Sequence, residues 1–331
     1  MKVSELGEFR LIDLLAKMLP VSQNQKLIVG IGDDAAAWQG DTSTQLATTD
    51  SLFQGVHFSL DTITWQELGW KSLAVNLSDV AAMGGVPSYA LVSLALPENT
   101  EVKDVTDLYR GMIELAQRFE VEIIGGDTCR APLVSITITV LGTTKNHGKQ
   151  TLTRSTAKSG EKIAVTGYPG SAAAGLDMLS KNLQLSLEAT SYLRNAFIHP
   201  LPRITEGHLL IEQNVKTCID ISDGLVTDLR HLCCASNVDA HIEIDRLPVH
   251  HLLKATFREK ATEMALSGGE DYELLFTASD KVIEKVISTV SCPITIIGEI
   301  TAGISGKVIL VDKKGKPFNL HKAGWDHFTT G

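Results

Sequence analysis

Apolar and polar positions in the first half of the chain alternate between strand-like runs and helical stretches. Short apolar runs bounded by glycine, proline or polar residues predict strands, and longer periodic segments predict helices. The strands are predicted at 26–32, 44–50, 88–97, 121–128 and 133–143, and the helices at 64–84 and 101–120. Thr64 and Glu67 have the spacing of a capping box at the start of the first helix, and Gly84 and Gly85 stop it.

A polar segment, 144–162, separates these elements from a second alternating set. The later strands are predicted at 163–167, 217–222, 240–245, 272–278, 294–300 and 307–312, and the helices at 171–182, 188–198, 203–214, 224–236, 249–265 and 280–289. We therefore predict an α/β (α+β) protein with two domains, 1–148 and 149–331.

Length and composition agree with this division and narrow the classes of function. A chain of 331 residues exceeds the usual size of a single hydrophobic core. The formal net charge of -9 argues against a nucleic-acid-binding surface, which needs a basic face. No apolar stretch reaches about 18 residues, so no membrane span is predicted. The acidic residues of the first segment, MKVSELGEFR, are unlike a secretory signal peptide.

The cysteines predict neither zinc nor a disulfide framework. Their number is odd, and no two have CxxC spacing. The five are Cys129, Cys218, Cys233, Cys234 and Cys292. We expect reduced thiols packed as small apolar side chains, and therefore a cytoplasmic protein.

Carboxylates recur where predicted strands end or beside glycines. The sequence contexts are GIGDDAA for Asp33 and Asp34, TTDS for Asp50, IIGGDT for Asp127, and CIDISDGL for Asp220 and Asp223. GIGDD and GGDT also have a purely structural interpretation as turn chemistry, and SDGL could cap the following helix. Asp79 differs because it lies inside an apolar helix, where a carboxylate is costly to bury unless something cationic meets it, although it could also face solvent.

Together these acids point to a divalent cation. Basic residues in the same stretches are few, namely Lys71, Arg130 and Arg154. Clustered carboxylates repel one another, and Mg²⁺ relieves that repulsion with oxygen ligands from protein and substrate phosphates. Since Thr48, Thr49 and Ser51 add further oxygens, we predict a Mg²⁺–nucleotide or Mg²⁺–phosphate site.

The usual phosphate-binding signatures are absent. The chain has no GxxxxGK[ST] loop, and the glycines of GYPGSAAAG have the wrong spacing for a dinucleotide fingerprint. It also has no HRD-type catalytic loop, no serine elbow and no HExxH.

Seven ordered motifs nevertheless resemble one family, the thiamine-monophosphate kinases. They are GIGDDAA, TTDSLFQGVHF, KSLAVNLSDVAAMGG, IIGGDTCRAP, LTRSTAKSGEKIAVTG, CIDISDGLVTDL and SGGEDYELLFT, and the resemblance extends from about residue 5 to the terminal GWDHF at 324–328. It implies phosphorylation of thiamine monophosphate by ATP, the last step of thiamine diphosphate formation. It also implies the two-domain fold of the aminoimidazole ribonucleotide synthetase superfamily, with an N-terminal ATP- and Mg²⁺-binding domain that dimerises through its sheet.

The resemblance also implies roles for individual residues. The ligands of several Mg²⁺ ions would be Asp34, Thr48, Thr49, Asp50, Asp79, Asp127, Asp220 and Asp223. ATP would contact Gly126, Asp127, Arg154 and Ser222, and thiamine monophosphate would contact His57, Glu270 and Trp325. No general base or nucleophile is expected, because the acceptor is already an anion and direct in-line transfer needs mainly charge neutralisation.

Some positions depart from the family pattern, and other functions remain open. Thr48 stands where serine is frequent, and Trp325 occupies a position that is aromatic but need not be tryptophan. The superfamily also contains selenophosphate synthetases, hydrogenase-maturation dehydratases and purine-pathway synthetases; residues 1–30 and the terminal DHFTTG lack the cysteines expected of the first two. A nucleotide-binding sensor without catalysis is the alternative from a different class.

Overall fold

The computed structural model describes residues 1–20, 26–31, 35–40, 42–144, 150–320 and 324. These residues form two compact units, unit 1 with Met1–Val80 and Val86–Lys149 and unit 2 with Ala81–Gly85 and Gln150–Gly331. Both units mix helices and sheets, as the predicted α/β class requires. The predicted boundary between residues 148 and 149 lies outside the described residues and stays a prediction.

In chain order the elements of unit 1 are α1 (Val3–Leu6), α2 (Glu8–Met18), β1 (Leu27–Val29), β2 (Ala37–Trp38), β3 (Gln45–Phe53), α3 (Trp65–Ala82), β4 (Gly85–Leu96), α4 (Val102–Arg118), β5 (Glu122–Arg130) and β6 (Ser135–Thr144). Four of these strands form a sheet with the order β3-β6-β4-β5. Strand β3 is antiparallel to β6, and β4 is parallel to β5.

The two faces of this sheet differ. Even-numbered residues of β6, such as Ile138 and Val140, are buried, whereas the odd-numbered residues are half-buried. Their partners on β3 follow the same division, with Ala47 and Thr49 exposed on the odd-numbered face. One face therefore carries the core, and the other is the more accessible one.

Helix α3 is buried almost all round. Every residue from Leu68 to Val80 is buried except Asp79, which is half-buried. The backbones of α3 and α4 are in close contact where the two helices cross. A Cβ atom on Gly69 would come within 1.8 Å of the Leu108 carbonyl oxygen, and one on Gly111 would come within 1.8 Å of the Gln66 carbonyl oxygen. These glycines allow α3 to lie deep in the unit, where it meets β3.

The elements of unit 2 are β7 (Lys162–Thr166), α5 (Ser171–Ser180), α6 (Leu187–Ile198), α7 (Ile204–Glu212), β8 (Thr217–Asp220), α8 (Leu225–Ser236), β9 (Asp239–Glu243), a 3-10 helix (Ile244–Arg246), α9 (His251–Phe257), α10 (Lys260–Ser267), β10 (Leu274–Ala278), α11 (Asp280–Thr289), β11 (Ile294–Thr301) and β12 (Val308–Val311). The six strands form one sheet in the order β12-β9-β11-β7-β10-β8. Adjacent strands of this sheet are antiparallel, except that β12 and β9 are parallel.

Three chain segments lie close together at one end of the strands of the six-stranded sheet. Asp220, the last residue of β8, pairs with Leu274, the first residue of β10, and Val165 near the end of β7 pairs with Leu275. The loops that follow β7 and β8 and the segment that precedes β10 therefore meet at these strand ends. We call this end of the sheet the loop edge. Ligands of open α/β sheets bind at such strand ends.

The structure differs from the predicted elements in several places. The helix predicted at 249–265 is two helices, α9 and α10, because Arg258 between them has a φ of +50°. The strand predicted at 88–97 begins at Gly85. Helix α2 was not predicted, although Leu11 and Leu15 have the helical spacing and are buried.

Within the described residues, none of the helices has both the length and the apolar composition needed to cross a membrane.

Candidate active site

The carboxylates of unit 1 centre on the contact between β3 and α3. Thr48 on β3 donates its hydroxyl hydrogen to Oδ2 of Asp79 on α3. Two residues further along β3, the N–H of Asp50 donates to Oδ1 of Asn76 at 3.0 Å. Because alternate strand residues share a face, Thr48 and Asp50 both lie on the α3 side of β3. The structure thus brings three predicted ligands, Thr48, Asp50 and Asp79, to one place.

Thr49 lies on the opposite face of β3. Its hydroxyl donates to the Ile138 carbonyl oxygen at 3.1 Å and accepts from the Thr139 hydroxyl at 3.1 Å. Neighbouring Ser51 shares a hydrogen bond of 2.7 Å with Thr137 on the same face. The side chain of Thr49 therefore does not join Thr48 and Asp50, and its role as a metal ligand stays a prediction that would involve its backbone.

His57 is held in a tight turn directly after β3. The N–H of Phe53 donates to its Nδ1 at 3.0 Å, and the N–H of His57 donates to the Phe53 carbonyl oxygen at 2.9 Å. Gly55 in this turn has a φ of +83°, which suits glycine. Since Nδ1 accepts a hydrogen bond, the neutral ring carries its proton on Nε2, a donor of the kind that binds phosphate oxygens.

Gly126 and Asp127 lie on β5, at the other end of the strand order. Asp127 is exposed, and Gly126 is paired with Val92 of β4. A Cβ atom on Gly126 would come within 1.9 Å of the Val92 carbonyl oxygen, so only glycine fits there. This close approach sets the position of Asp127 beside Ser93, its partner in the sheet.

In unit 2 the predicted ligands lie at the loop edge. Asp220 is only 3% exposed at the end of β8, and Ser222 and Asp223 follow in the half-buried loop before α8. A backbone hydrogen bond of 2.7 Å from the N–H of Glu270 to the Ser222 carbonyl oxygen joins this loop to the segment before β10. Glu270, which is predicted to contact the substrate, is thereby hydrogen-bonded to Ser222, which is predicted to contact ATP.

Two aspartates that were not predicted, one buried and one half-buried, hold these segments. Oδ2 of Asp228 accepts the N–H groups of Ser222, Asp223 and Gly224, each at 3.1 Å. Burial, with the negative charges of Asp220 and Asp223, raises the pKa of Asp228 to about 8.

The second of these aspartates, Asp271, caps the start of α5. It accepts the N–H of Gly170 at 2.6 Å and that of Ala172 at 3.0 Å. Burial raises the pKa of Asp271 to about 8, although the two N–H donors oppose this shift. Its neighbours Glu270 and Tyr272 have φ values of +66° and +51°, so Asp271 sits between two left-handed residues.

Arg154 lies beside β8 in the segment that leads into unit 2. Thr153 forms a bridge to Thr217 of β8, and Ser236 at the end of α8 donates its hydroxyl hydrogen to the Arg154 carbonyl oxygen at 2.7 Å. The backbone is thus anchored while the side chain is exposed. This arrangement suits a residue that neutralises phosphate charge.

Asp34 and Trp325 lie outside the described residues, so their roles stay predictions. Gly324, directly before Trp325, is described. Its N–H donates to the Thr227 hydroxyl at 3.1 Å, and a Cβ atom on it would come within 2.2 Å of the Asp223 carbonyl oxygen. Gly324 therefore docks against the loop that carries Asp223.

The donor set fits the predicted metal in chemistry. Thr48, Asp50 and Asp79 offer hydroxyl and carboxylate oxygens, which are the ligands of Mg²⁺ and not those of a soft metal. Within the described ranges, no group of three or more His, Cys, Asp or Glu side chains is already placed to hold a metal ion. The roles of the individual ligands remain predictions.

Sequence signals for the unpredicted residues were present. Asp228 stands six residues after Ser222 in SDGLVTD, at a distance that allows a carboxylate in the first turn of a helix to reach the preceding loop. Asp271 was obscured by Glu270 in GGEDYE, because the sequence does not show which of two adjacent acids in a turn accepts backbone N–H groups.

The fold and these sites define a class of protein. The family of AIR synthase related proteins matches the chain in two parts, its N-terminal domain over residues 32–144 and its C-terminal domain over residues 158–311. The chain therefore belongs to the AIR synthase related proteins, and the match confirms the predicted two-domain fold.

More similar proteins identify the branch of this class. The thiamine-monophosphate kinase of Escherichia coli is 39% identical over 334 residues, which cover 98% of this chain and 99% of that protein. The crystal structure of the thiamine-monophosphate kinase from Stenotrophomonas maltophilia superposes with a TM-score of 0.81 at 35% identity and covers 94% of this chain and 98% of that one. A solved structure of AaThiL complexed with AMPPCP and TMP has a TM-score of 0.77 at 33% identity and covers 99% of both chains. Within its class, the chain belongs to the thiamine-monophosphate kinase family.

Proposed function

We propose that this chain transfers the γ-phosphoryl group of ATP to the phosphate of thiamine monophosphate, giving thiamine diphosphate and ADP. The observation that carries the proposal is the hydrogen bond between the N–H of Glu270 and the Ser222 carbonyl oxygen, 2.7 Å long. It joins the segment expected to bind the acceptor to the loop expected to bind ATP. The match to AaThiL, solved with AMPPCP and TMP, supports the same pair of substrates.

The chain's own residues would act by binding and by neutralising charge. Arg154, whose side chain is exposed, would contact ATP phosphates together with Ser222. His57 would donate Nε2–H to the thiamine phosphate, while Glu270 and Trp325 would contact the rest of the substrate. Glu270 would be presented in a fixed direction because its left-handed backbone is held on both sides, by Ser222 and by Asp271.

Mg²⁺ ions would be held by carboxylate and hydroxyl oxygens and, at Thr49, by a backbone oxygen. The proposed ligands are Asp34, Thr48, Thr49, Asp50, Asp79, Asp127, Asp220 and Asp223. When bound, Mg²⁺ supplies positive charge that offsets the repulsion between two anionic reactants and the charge of the transition state. The acceptor oxygen is already ionised, so transfer is proposed to be direct and in line, without a general base or a phosphoenzyme.

The reaction is tested by following both products. With ATP, thiamine monophosphate and Mg²⁺, we expect thiamine diphosphate and ADP to form in equal amounts. Product should disappear when a chelator removes Mg²⁺ and return when Mg²⁺ is added in excess. The measurement is chromatographic separation of both products over time, with circular dichroism to show that the protein stays folded.

Two results would contradict the proposal in different ways. Binding of ATP without any thiamine diphosphate would favour the non-catalytic sensor. Formation of ADP only when a different acceptor replaces thiamine monophosphate would favour another member of the superfamily.

We also propose that the chain forms a homodimer through the more accessible face of the unit 1 sheet. On that face Ala47 is exposed and its cross-strand partner Leu141 is half-buried. Phe53, at the end of the same row, is 46% exposed. An apolar and hydroxyl-rich sheet face of this kind suits a second sheet packed against it.

Leu141→Glu tests the homodimer, because charge on this face would oppose burial against a second copy. We expect sedimentation velocity to show a dimer for the wild type and a monomer for this variant. Gln117→Glu, a change of charge at an exposed position of α4, should leave the dimer intact. A wild type that sediments as a monomer at all concentrations, or a Leu141→Glu variant that remains dimeric, rules out this interface.

We propose a cytoplasmic location because the cysteines are free thiols. All five are free thiols; Cys218 and Cys233 are buried, and Cys233 belongs to an apolar cluster of unit 2. Free thiols are the usual form in reducing compartments. Fractionation of the cells that produce the protein, with its thiols trapped by alkylation, would overturn this location if the protein appeared outside the cytoplasm.

A further inference from the structure

The loop between β8 and α8 is organised by one buried carboxylate, that of Asp228. Asp228 is 3% exposed in the first turn of α8. Its Oδ2 accepts three consecutive backbone N–H groups, those of Ser222, Asp223 and Gly224, at 3.1 Å each. A single oxygen atom with three convergent donors leaves this loop little conformational freedom.

This arrangement changes how the loop can meet a nucleotide. The N–H groups at the start of a helix form a ready site for an anion such as phosphate. Here Asp228 already occupies the N–H groups of Ser222, Asp223 and Gly224. The loop therefore has its side chains, and not its N–H groups, to offer to a nucleotide and its metal ions.

The loop in turn supports the segment before β10. The N–H of Glu270 donates to the Ser222 carbonyl oxygen at 2.7 Å, and the N–H of Tyr272 donates to the Ile221 carbonyl oxygen at 2.8 Å. A Cβ atom on Gly269 would come within 2.6 Å of the same Ser222 oxygen, so the two backbones are in close contact. A shift of the loop would consequently displace Glu270.

We propose that Asp228 is a positioning residue, which sets the directions of Ser222 and Asp223 through their backbone and, through Ser222, the position of Glu270. It contacts no substrate itself. The proposal rests on the proposed function for its kinetic consequences, but the conformation of the loop can be measured without turnover.

The experiment compares three substitutions, Asp228→Asn, Asp228→Ser and Asp228→Ala, with a control substitution at another aspartate that accepts backbone N–H groups. The amide oxygen of asparagine can accept the same three hydrogen bonds, whereas serine is too short to accept all three and alanine accepts none. The matched control is Asp239→Ala. Asp239 likewise accepts backbone N–H groups, those of Ser305 at 3.2 Å and Lys307 at 3.0 Å, but its partner Thr301 lies at the opposite edge of the same sheet.

The first measurement is amide hydrogen exchange of residues 222–224, which requires neither substrate nor metal. We expect exchange to become about tenfold faster in Asp228→Ser and Asp228→Ala, the effect of losing one hydrogen bond, and to change little in Asp228→Asn. Asp239→Ala should leave this exchange unchanged. If Asp228→Ala does not fold, the comparison of serine with asparagine decides the same question.

The second measurement is steady-state kinetics at a temperature where every variant is folded. We expect kcat to fall by about 10- to 100-fold in Asp228→Ser and Asp228→Ala, the range for residues that orient metal and substrate ligands. The Mg²⁺ concentration for half-maximal rate should rise in these two variants, while Asp228→Asn and Asp239→Ala stay within about threefold of the wild type, well below that range.

Either of two outcomes overturns the proposal. One is unchanged exchange of residues 222–224 in Asp228→Ser and Asp228→Ala. The other is an equal kinetic loss in Asp228→Asn and Asp228→Ala, which would mean that the charge of Asp228 matters and the three hydrogen bonds do not. Failure of the proposed function is distinct, because the wild type itself would then form no thiamine diphosphate while the exchange results stood.

Discussion

Asp50→Asn is expected to lower kcat for thiamine diphosphate formation by about 10²- to 10³-fold, the loss typical of removing one charge-stabilising contact in a transition state. Asp50 lies at the junction of β3 with α3, where its N–H is fixed by Asn76 at 3.0 Å. The strand backbone should therefore keep its geometry when the carboxylate becomes an amide. The change removes one negative charge and one strong oxygen ligand from the proposed Mg²⁺ site.

The measurement is the initial rate as a function of Mg²⁺ concentration for the variant and the wild type. Asp61→Asn serves as the control, since Asp61 is exposed and its carboxylate accepts a local hydrogen bond from the Ser59 hydroxyl. Excess Mg²⁺ should restore part of the rate of Asp50→Asn, because weaker binding is offset by mass action. An Asp50→Asn enzyme with wild-type kcat and wild-type Mg²⁺ dependence would remove Asp50 from the proposed ligand set.

Arg203→Met is expected to reduce the free energy of unfolding by about 3–5 kcal/mol, the cost of leaving a buried charge without its partner. Nε and an Nη atom of Arg203 donate to the two carboxylate oxygens of Glu273, at 2.6 and 2.5 Å. The side chains are only 19% and 11% exposed. Glu273 also accepts from the Thr166 hydroxyl at 2.5 Å, so its carboxylate would remain in place without the cation.

Equilibrium unfolding in urea measures this loss. The double variant Arg203→Met/Glu273→Leu should recover much of the lost stability, because replacing both members of a buried pair by apolar residues is often neutral. The control is Arg246→Met, which breaks the exposed pair with Glu243 in the same unit and should change the unfolding midpoint little. Equal midpoints for Arg203→Met and Arg246→Met would show that the buried pair does not stabilise unit 2.

The pair also bears on the site, because Glu273 ends the segment that contains Glu270. A Cβ atom on Gly167 would come within 1.9 Å of the Glu273 carboxylate, so the loop after β7 closes over the pair. Arg203 and Glu273 therefore secure one end of this segment, as Asp271 secures its middle at the start of α5. Glu270 itself is presented by these buried contacts.

Much of the fold followed from the spacing of apolar residues. The amphipathic pattern of α4 and the apolar stretch of α3 predicted helices within a few residues of their observed ends, Val102–Arg118 and Trp65–Ala82. The break between α9 and α10 did not follow, because arginine as a residue type does not indicate the positive φ that Arg258 adopts. Helix α2 was not predicted although Leu11 and Leu15 have helical spacing, and the structure shows that both are buried.

The family, the reaction class and the acidic character of the site were already present in the order of the motifs and in the residue types they contain. Residue types specify chemistry, so oxygen ligands and the scarcity of basic residues were enough to predict Mg²⁺ and phosphate. The face on which each side chain lies and the burial of each carboxylate depended on the folded chain. Thr48 and Thr49 are chemically alike, yet strand alternation directs one to Asp79 and the other to Ile138. Asp223 and Asp228 are both acids of one short motif, yet it is Asp228 that is buried and accepts three backbone N–H groups. This difference was decided by the folded structure, because hydrogen bonding and desolvation are properties of the folded chain.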